Sequence, residues 1–383
     1  MSSWIEVSEA RLQANFRVLV EAAGAETDVL AVVKANAYEH GAEVCSVALA
    51  RAGAQWFGVA EVAEGVRVRR ALDAAGFADA RILVMLGATS TDVAAMAGAG
   101  LIPVVWTGRQ VQLLGQSAKR VHLEVDTGMG RQGVRPGAEL DAVLDQIAAA
   151  GLELDGVMTH FCAAEVAGSA KTRDQERQFA QAVAQVQSKG FAPKWVHAGS
   201  SSSVDDPQRD TMWLAELAKT VGARAMVRTG IALYGYCLPI EGEAGARIRG
   251  ELQPVMTWKT RVLNVREGVV GETIGYNATF TAEKPMRLAL MPVGYSDGLR
   301  RELSSTNAKP GGWVMIRGER AAIVGRISMN LTMVDVSAIE GARGGDEVVV
   351  LGDGVTADDH ARIAGTISYE ILCGVRGGTA KDL

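Results

Sequence analysis

Residues 154–199, LDGVMTHFCAAEVAGSAKTRDQERQFAQAVAQVQSKGFAPKWVHAG, read as one strand–helix–strand unit. LDGVMTHF (154–161) and KWVHAG (194–199) are short apolar runs of strand length. Between them, Phe179, Val183 and Val186 form a helical stripe over about 172–189, with Thr172 and Gln175 at capping-box spacing and Gly190 placed to end the helix. Working outward, six more runs of the same kind appear: DVLAVVK (28–34), WFGVA (56–60), RILVML (81–86), IPVVW (102–106), VHLEVD (121–126) and MVRTGIALYG (226–235). Most of the gaps hold alanine-rich helical segments, as at 137–150, where Leu140, Val143, Leu144 and Ile147 recur at i, i+3, i+4 and i+7. Eight alternating strand and helix units predict an α/β domain over residues 1–245, a parallel (β/α)8 barrel of the TIM type.

From residue 246 the pattern changes. MTWKTRVLNV, RLALMPVG, WVMIRG, AAIVGRI, LTMVDVS and DEVVVLG follow one another through short Gly, Asp or Asn turns, which predicts a β-rich second domain over 246–383. The Gly-rich, charged segment 239–251 is the expected linker, and the closing GGTAKDL is expected to be disordered.

A chain of 383 residues with 48% hydrophobic content suits two cores better than one. The net charge of −5, with both signs interspersed, argues against a nucleic-acid partner, which calls for concentrated positive charge. No apolar run approaches the roughly 20 residues needed to cross a bilayer, and the first residues lack a signal-peptide layout, so a cytoplasmic protein is expected. Cys45, Cys162, Cys237 and Cys373 are scattered, so neither a disulfide framework nor a metal site is expected.

A barrel of this kind places its chemistry at the C-terminal ends of the strands, with phosphate near strands seven and eight. Lys34 ends the first predicted strand, Arg131 follows the fifth, His160 ends the sixth, Ser200 to Ser203 follow the seventh, and Gly230 and Ile231 lie at the eighth. Lys34 reads either as a reactive amine at the edge of a cleft or as an ordinary surface lysine. His160 reads as a functional imidazole or a satisfied core residue, His122 as a core residue, and Tyr295 as a turn tyrosine packed on one side. The loop DTGMGR (126–131) has glycines that permit close backbone approach to a ligand and an arginine suited to a carboxylate or phenolate; its plainer reading is a turn with a salt bridge. No GxGxxG or GxxxxGK[ST] motif marks a strand-to-helix junction.

AVVKANAYEHG (31–41), VHLEVDTGMGRQG (121–133), MVRTGIALYG (226–235), PVGYSDG (292–298), GRISMN (325–330) and SYEILC (368–373) resemble, in order and spacing, the motifs of the alanine racemases, over nearly the whole chain. The resemblance implies a pyridoxal 5′-phosphate enzyme that interconverts L- and D-alanine, supplying D-alanine for peptidoglycan. Lys34 would carry the cofactor and serve as one catalytic base. Tyr295, from the second subunit of an obligate homodimer, would be the other. Tyr38, Ser201, Gly230, Ile231 and Tyr369 match phosphate-holding positions, and Arg228 matches the arginine facing the pyridine nitrogen. His160 would link Arg228 to Tyr295, while Arg131 and the backbone of Met329 would bind the substrate carboxylate. Glu124 stands where many members carry a carbamylated lysine, and it is expected to pair with Arg131 as a built-in negative charge. Glu39, Ser200 and Asn330 depart from the commoner residues near the substrate entrance, which leaves open a broader amino-acid racemase or an aldolase-like reaction at Cα. A carrier protein that binds the cofactor without catalysis would lack both the β-rich domain and Tyr295.

Overall fold

A computed structural model of the protein describes residues 3–207 and 211–379. After β1 (Ser3–Val7), the eight apolar runs become the strands of a closed parallel barrel. These are β2 (Thr27–Val32), β3 (Trp56–Val59), β4 (Arg81–Val84), β5 (Ile102–Val105), β6 (Arg120–Glu124), β7 (Glu153–Met158), β8 (Trp195–His197) and β9 (Arg224–Thr229). The ring closes where β9 pairs with β2, Leu30 lying opposite Arg228. The helix Ala138–Ala149 buries the expected Leu140, Val143, Leu144 and Ile147. The helix Ala170–Ser188 buries Phe179, Val183 and Val186 and starts earlier than its spacing suggests. Its cap is Ser169, whose Oγ accepts from the Thr172 N–H at 3.2 Å; Thr172 sits inside the first turn, its hydroxyl donating to the Ala163 carbonyl at 3.0 Å. Gly190 follows the helix at φ +83°, a left-handed conformation that glycine adopts without strain.

The chain divides into two units: Ala10–Ala37 with Ala42–Gln253, and Met1–Glu9 with Tyr38–Gly41 and Pro254–Leu383. This differs from a simple cut at 245/246 in three segments, residues 1–9, 38–41 and 246–253. A closed barrel has no free strand edge, so β1 pairs instead with a strand of the second unit, Ser3 opposite Thr260. Residues 246–253 stay with the barrel unit, where the Asp205 carboxylate accepts the N–H groups of Ile248 and Arg249, each at 3.0 Å.

The second unit is β-rich as expected. Its strands are β10 (Met256–Arg261), β11 (Asn264–Gly268), β12 (Thr273–Ile274), β13 (Phe280–Thr281), β14 (Met286–Met291), β15 (Trp313–Ile316), β16 (Glu319–Val324), β17 (Thr332–Asp335), β18 (Glu347–Leu351) and β19 (Gly378–Thr379). Nine strands, counting β1, form one sheet in the order β11-β14-β17-β16-β15-β18-β10-β1-β19, and β12 and β13 form a hairpin. Part of the GGTAKDL tail is therefore ordered: β19 pairs in parallel with β1, and residues 380–383 lie outside the described residues. Two helices, Ala357–Ala364 and Ser368–Gly374, interrupt the β pattern; the first is capped by Thr356, whose Oγ accepts from the Asp359 N–H at 3.1 Å.

Ile274, Ala282, Met286, Leu288 and Val324 make a compact apolar cluster in this unit. Leu288 is fully buried. Leu288→Ala should therefore cost about 2–5 kcal/mol, read as a lower urea midpoint at an unchanged m-value.

Candidate active site

Lys34 follows β2 and is exposed, and the backbone after it is unusual. Ala35, Asn36, Ala37, Tyr38 and Glu39 take φ values of 51°, 52°, 55°, 53° and 64°, a left-handed turn built without glycine. Each such residue costs on the order of 1–2 kcal/mol, so the turn persists only because its polar groups are tied down. The Val33 N–H donates to the Gly58 carbonyl at 2.8 Å and the Ala37 N–H to the Val33 carbonyl at 2.9 Å. Asn36 Oδ1 accepts from the Ala42 N–H at 3.0 Å, and the Asn36 N–H donates to Glu64 Oε1 at 3.4 Å.

The loop after β6 is drawn around Asp126, whose Oδ1 accepts the N–H groups of Gly128, Met129 and Gly130 at 2.9, 2.8 and 3.1 Å. Gly133, at φ +111°, closes the loop; a Cβ there would stand 2.5 Å from the Asp126 nitrogen. Arg131 is exposed on this loop. Glu124, buried at the end of β6, accepts its hydrogen bond from Gln132 Nε2, which also donates to the Met85 carbonyl at 3.2 Å. The expected pairing of Glu124 with Arg131 is thus replaced by a neutral partner one residue further along. Burial raises the Glu124 pKa, against the pull of the Gln132 hydrogen bond and the positive charges of Arg228 and Arg131.

Arg228, near the end of β9, is buried. Its Nη2 donates to the Thr159 carbonyl at 2.7 Å and to His160 Nδ1 at 3.2 Å, and its Nη1 donates to His197 Nδ1 at 3.3 Å. Burial lowers the guanidinium pKa to about 10, with Glu124 opposing and Arg131 adding to the fall, so it stays charged at neutral pH. His160 is pushed down to about 3 by burial and by the charges of Arg228, Arg131 and Lys34, so it is neutral. Because a guanidinium only donates, His160 Nδ1 is an acceptor and the ring proton resides on Nε2. Thus Arg131, His160, Arg228 and Lys34 interact at one end of the barrel, where an anionic ligand is favoured. After β8 and β9, Ser201 Oγ accepts the N–H groups of Gly230 and Ala232 at 3.2 and 3.3 Å, with Ile231 opening the turn Ile231–Tyr234. The fully buried Thr229 hydroxyl beside them has no partner among the described residues.

In the second unit, two loops are stitched together. The Tyr295 N–H donates to the Ser328 carbonyl at 3.1 Å, and the Met329 carbonyl accepts from the Ser296 N–H at 3.0 Å and the Ser296 hydroxyl at 2.8 Å. Gly294 makes this possible, since a Cβ there would sit 2.2 Å from the Ser328 oxygen. Tyr295 and Met329 are both exposed, and the Met329 N–H has no partner among the described residues. Asn330 Nδ2 donates to Ser296 Oγ at 2.7 Å. Tyr38 and Tyr369 also lie together, ring centroids 6.1 Å apart, and burial and then Cys373 push the Tyr38 phenol pKa up.

Several working residues had no sequence signal strong enough to single them out. Asp126 and Gln132 lie inside a recognised motif, but their partners are backbone atoms or a residue eight positions away. His197 looked like the end of an apolar strand, and His122 like core; both belong to a hydrogen-bonded cluster inside the barrel.

A (β/α)8 barrel with an exposed lysine after its first strand, a buried arginine bonded to a neutral histidine, and backbone N–H groups after its last strand defines a barrel enzyme for an anionic ligand. Family models describe residues 7–238 as the alanine racemase N-terminal domain and residues 255–381 as the alanine racemase C-terminal domain. An alanine racemase of Symbiobacterium thermophilum is 36% identical, the match covering 97% of this chain and 94% of that protein. The structure of the alanine racemase of Streptomyces coelicolor A3(2) superposes with a TM-score of 0.85 at 30% identity, covering 99% of this chain and 98% of the other. That of Bartonella henselae, determined with covalently bound pyridoxal phosphate, superposes at 0.79 and 26% identity, covering 99% of each chain. The chain belongs to the alanine racemase family, and it is an amino-acid racemase, an isomerase.

Two outcomes follow from this geometry. Burial is the leading cause lowering the pKa of His122, His160, His197 and His360, to about 3 for His160 and about 4 for His360, while an unfolded histidine titrates near 6.5. Below about pH 6.5 the unfolded chain binds protons that the native one refuses. Stability should therefore fall by about 1.4 kcal/mol per pH unit per histidine, the raised pKa of Glu124 offsetting part of the loss; urea midpoints at pH 7.5 and 5.0 measure it. Gly294→Ala should cost about 1–3 kcal/mol in stability by overpacking and cut racemisation with it, checked by melting and by a polarimetric assay.

Proposed function

We propose that the protein interconverts L- and D-alanine with pyridoxal 5′-phosphate held covalently by Lys34, using Lys34 and Tyr295 as bases on opposite faces of the substrate Cα. The observation that carries the reading is the buried, charged Arg228 bonded to a neutral His160, on the same barrel end as Lys34. The donor set fits the cofactor. Lys34 offers an amine, the unpartnered Thr229 hydroxyl and the Gly230–Ile231 backbone flank an anion-binding turn beside Ser201, and Arg228 offers a fixed positive charge for a ring nitrogen. When bound, the cofactor draws electrons from Cα and makes its hydrogen acidic.

The protein's residues then divide the work. Ser201, Gly230 and Ile231, with Tyr38 and Tyr369, would hold the cofactor's phosphate. Arg228 would face the pyridine nitrogen of a bound cofactor and, since a guanidinium this basic keeps its own proton, would not protonate it. Arg131 and the free N–H of Met329 orient the substrate carboxylate. Lys34 moves a proton at one face. Tyr295, supplied by the second copy in a homodimer, moves it at the other, and His160, whose ring proton is on Nε2, is arranged to donate to that phenol and ease its loss of a proton. Glu124 supplies the negative charge that balances Arg228 and Arg131. We further propose that the enzyme is cytoplasmic and provides D-alanine for peptidoglycan precursors.

Borohydride reduction of the cofactor-bound protein followed by peptide mapping should label Lys34 alone; label on another lysine would move the cofactor elsewhere. Tyr295→Ala should lose about 10²- to 10⁴-fold in racemisation rate while still binding alanine. A variant within tenfold of the parent would remove the phenol from the mechanism.

A further inference from the structure

Inside the barrel, on the side of Arg228 away from His160, lies a line of buried polar groups that the reaction does not touch. His197 Nδ1 is 3.3 Å from Arg228 Nη1 and His197 Nε2 is 2.8 Å from His122 Nδ1, both within hydrogen-bond reach, while His122 Nε2 faces Asp155 Oδ2 at 3.6 Å, an ion-pair distance and not a hydrogen bond. His197 and His122 are fully buried and Asp155 is 1% exposed.

Two features show that the line is built rather than accidental. The pairing of β6 with β7 steps from Val121 opposite Leu154 to His122 opposite Gly156, leaving Asp155 as the extra residue of a bulge. A bulge re-aims the side chain it carries: regular register would set Asp155 directly opposite His122, whereas here Gly156 takes that place and the Asp155 carboxylate approaches His122 Nε2 from beside it. Gly156 next to it clears the way: a Cβ there would stand 2.5 Å from both Cε1 and Nδ1 of His122. The ring of His122 then crosses toward His197, centroids 4.9 Å apart, and rests against Trp56 at 5.4 Å.

The chemistry of the ends dictates the direction of every bond. Arg228 only donates, so His197 Nδ1 accepts and a neutral His197 carries its proton on Nε2. That proton is given to His122 Nδ1, which leaves His122 with its proton on Nε2, facing a carboxylate. We propose that His197, His122 and Asp155 are positioning residues for Arg228: hydrogen bonds run from the guanidinium to His197 and from His197 to His122, the Asp155 carboxylate acts on the far imidazole through its charge, and together they fix the plane that Arg228 presents to its ligand. Burial leads the shifts that hold both histidines below their usual range, with Arg228 and His122 acting on His197, and Arg120 and Arg81 on His122 against Asp155. Asp155 is drawn upward by burial but held low overall by His122, Lys194 and Arg120, so the acceptor end keeps its charge. The two bonds, aligned in one sense, polarise one another, and the charge of Asp155 facing His122 Nε2 favours the same alignment.

The proposal rests on Arg228 facing the cofactor, and its test separates the two ideas. Holoenzyme labelled with ¹⁵N-histidine has five imidazoles, which long-range ¹H–¹⁵N correlation resolves by tautomer. His122 and His197, assigned with His122→Gln and His197→Asn, should both be neutral with the proton on Nε2 from pH 6 to 9. Either ring found doubly protonated, or protonated on Nδ1, overturns the proposal whatever the enzyme's activity. In racemisation, His197→Phe should lower kcat by about 10- to 100-fold with KM for alanine within about threefold. His197→Asn, which keeps an acceptor near the Nδ1 position, should recover most of that loss. Equal losses in the two variants also overturn it. A protein with the expected tautomers and no racemase activity would sink the functional reading and leave the hydrogen-bonded line standing.

Discussion

The Arg228 guanidinium, buried and charged, imposes its requirements on the whole upper interior of the barrel. A positive charge taken out of water must be surrounded by acceptors, and β7, β8 and the loops beyond them supply three: the Thr159 carbonyl, His160 Nδ1 and His197 Nδ1. Each acceptor in turn loses a freedom. His160 and His197 cannot take a second proton without turning a donor against a donor, and both sit well below the usual histidine range, burial being the first cause and the neighbouring charges the second. Glu124 is the nearby opposing carboxylate, and its own hydrogen bond comes from Gln132.

Around that charge, the loops are shaped by backbone polar groups more than by apolar packing. Asp126 gathers three consecutive N–H groups, and Ser201 gathers two. Asn36, with Glu64, holds a left-handed turn that its own residues would not choose. Strain of several kcal/mol in total, on the order of 1–2 per residue, is tolerable only where the surrounding structure over-determines it, and such places are where ligands are handled. The second unit works in the same way at smaller scale: Gly294 lets two loops touch, and the contact sets Tyr295 beside Met329.

Much of this was legible in the chain. All eight barrel strands lie within a few residues of their apolar runs, because a strand buried on both faces must be continuously apolar. The two helical stripes at 140–147 and 179–186 face inward as periodicity requires. The start of the second helix is ambiguous in sequence because Ser169 and Thr172 are both acceptable caps, and only the chain's path into the helix decides between them. Thr356 and Asp359 mark the start of the helix Ala357–Ala364, but eight residues carry little periodicity against the surrounding β pattern.

The linear order of residues thus determined the barrel and the β-rich partner unit, and it offered candidate groups at the strand ends, since periodicity and motif spacing are local properties. Only the tertiary structure decided that β1 joins the second sheet, that Glu124 bonds Gln132 and not Arg131, and that His122 and His197 meet across Gly156. The reason is physical: such pairings depend on which strand edges remain unpaired and on which side chains share the inside of a closed ring. Residues 75 positions apart come within 2.8 Å there, a relation that no window of sequence contains.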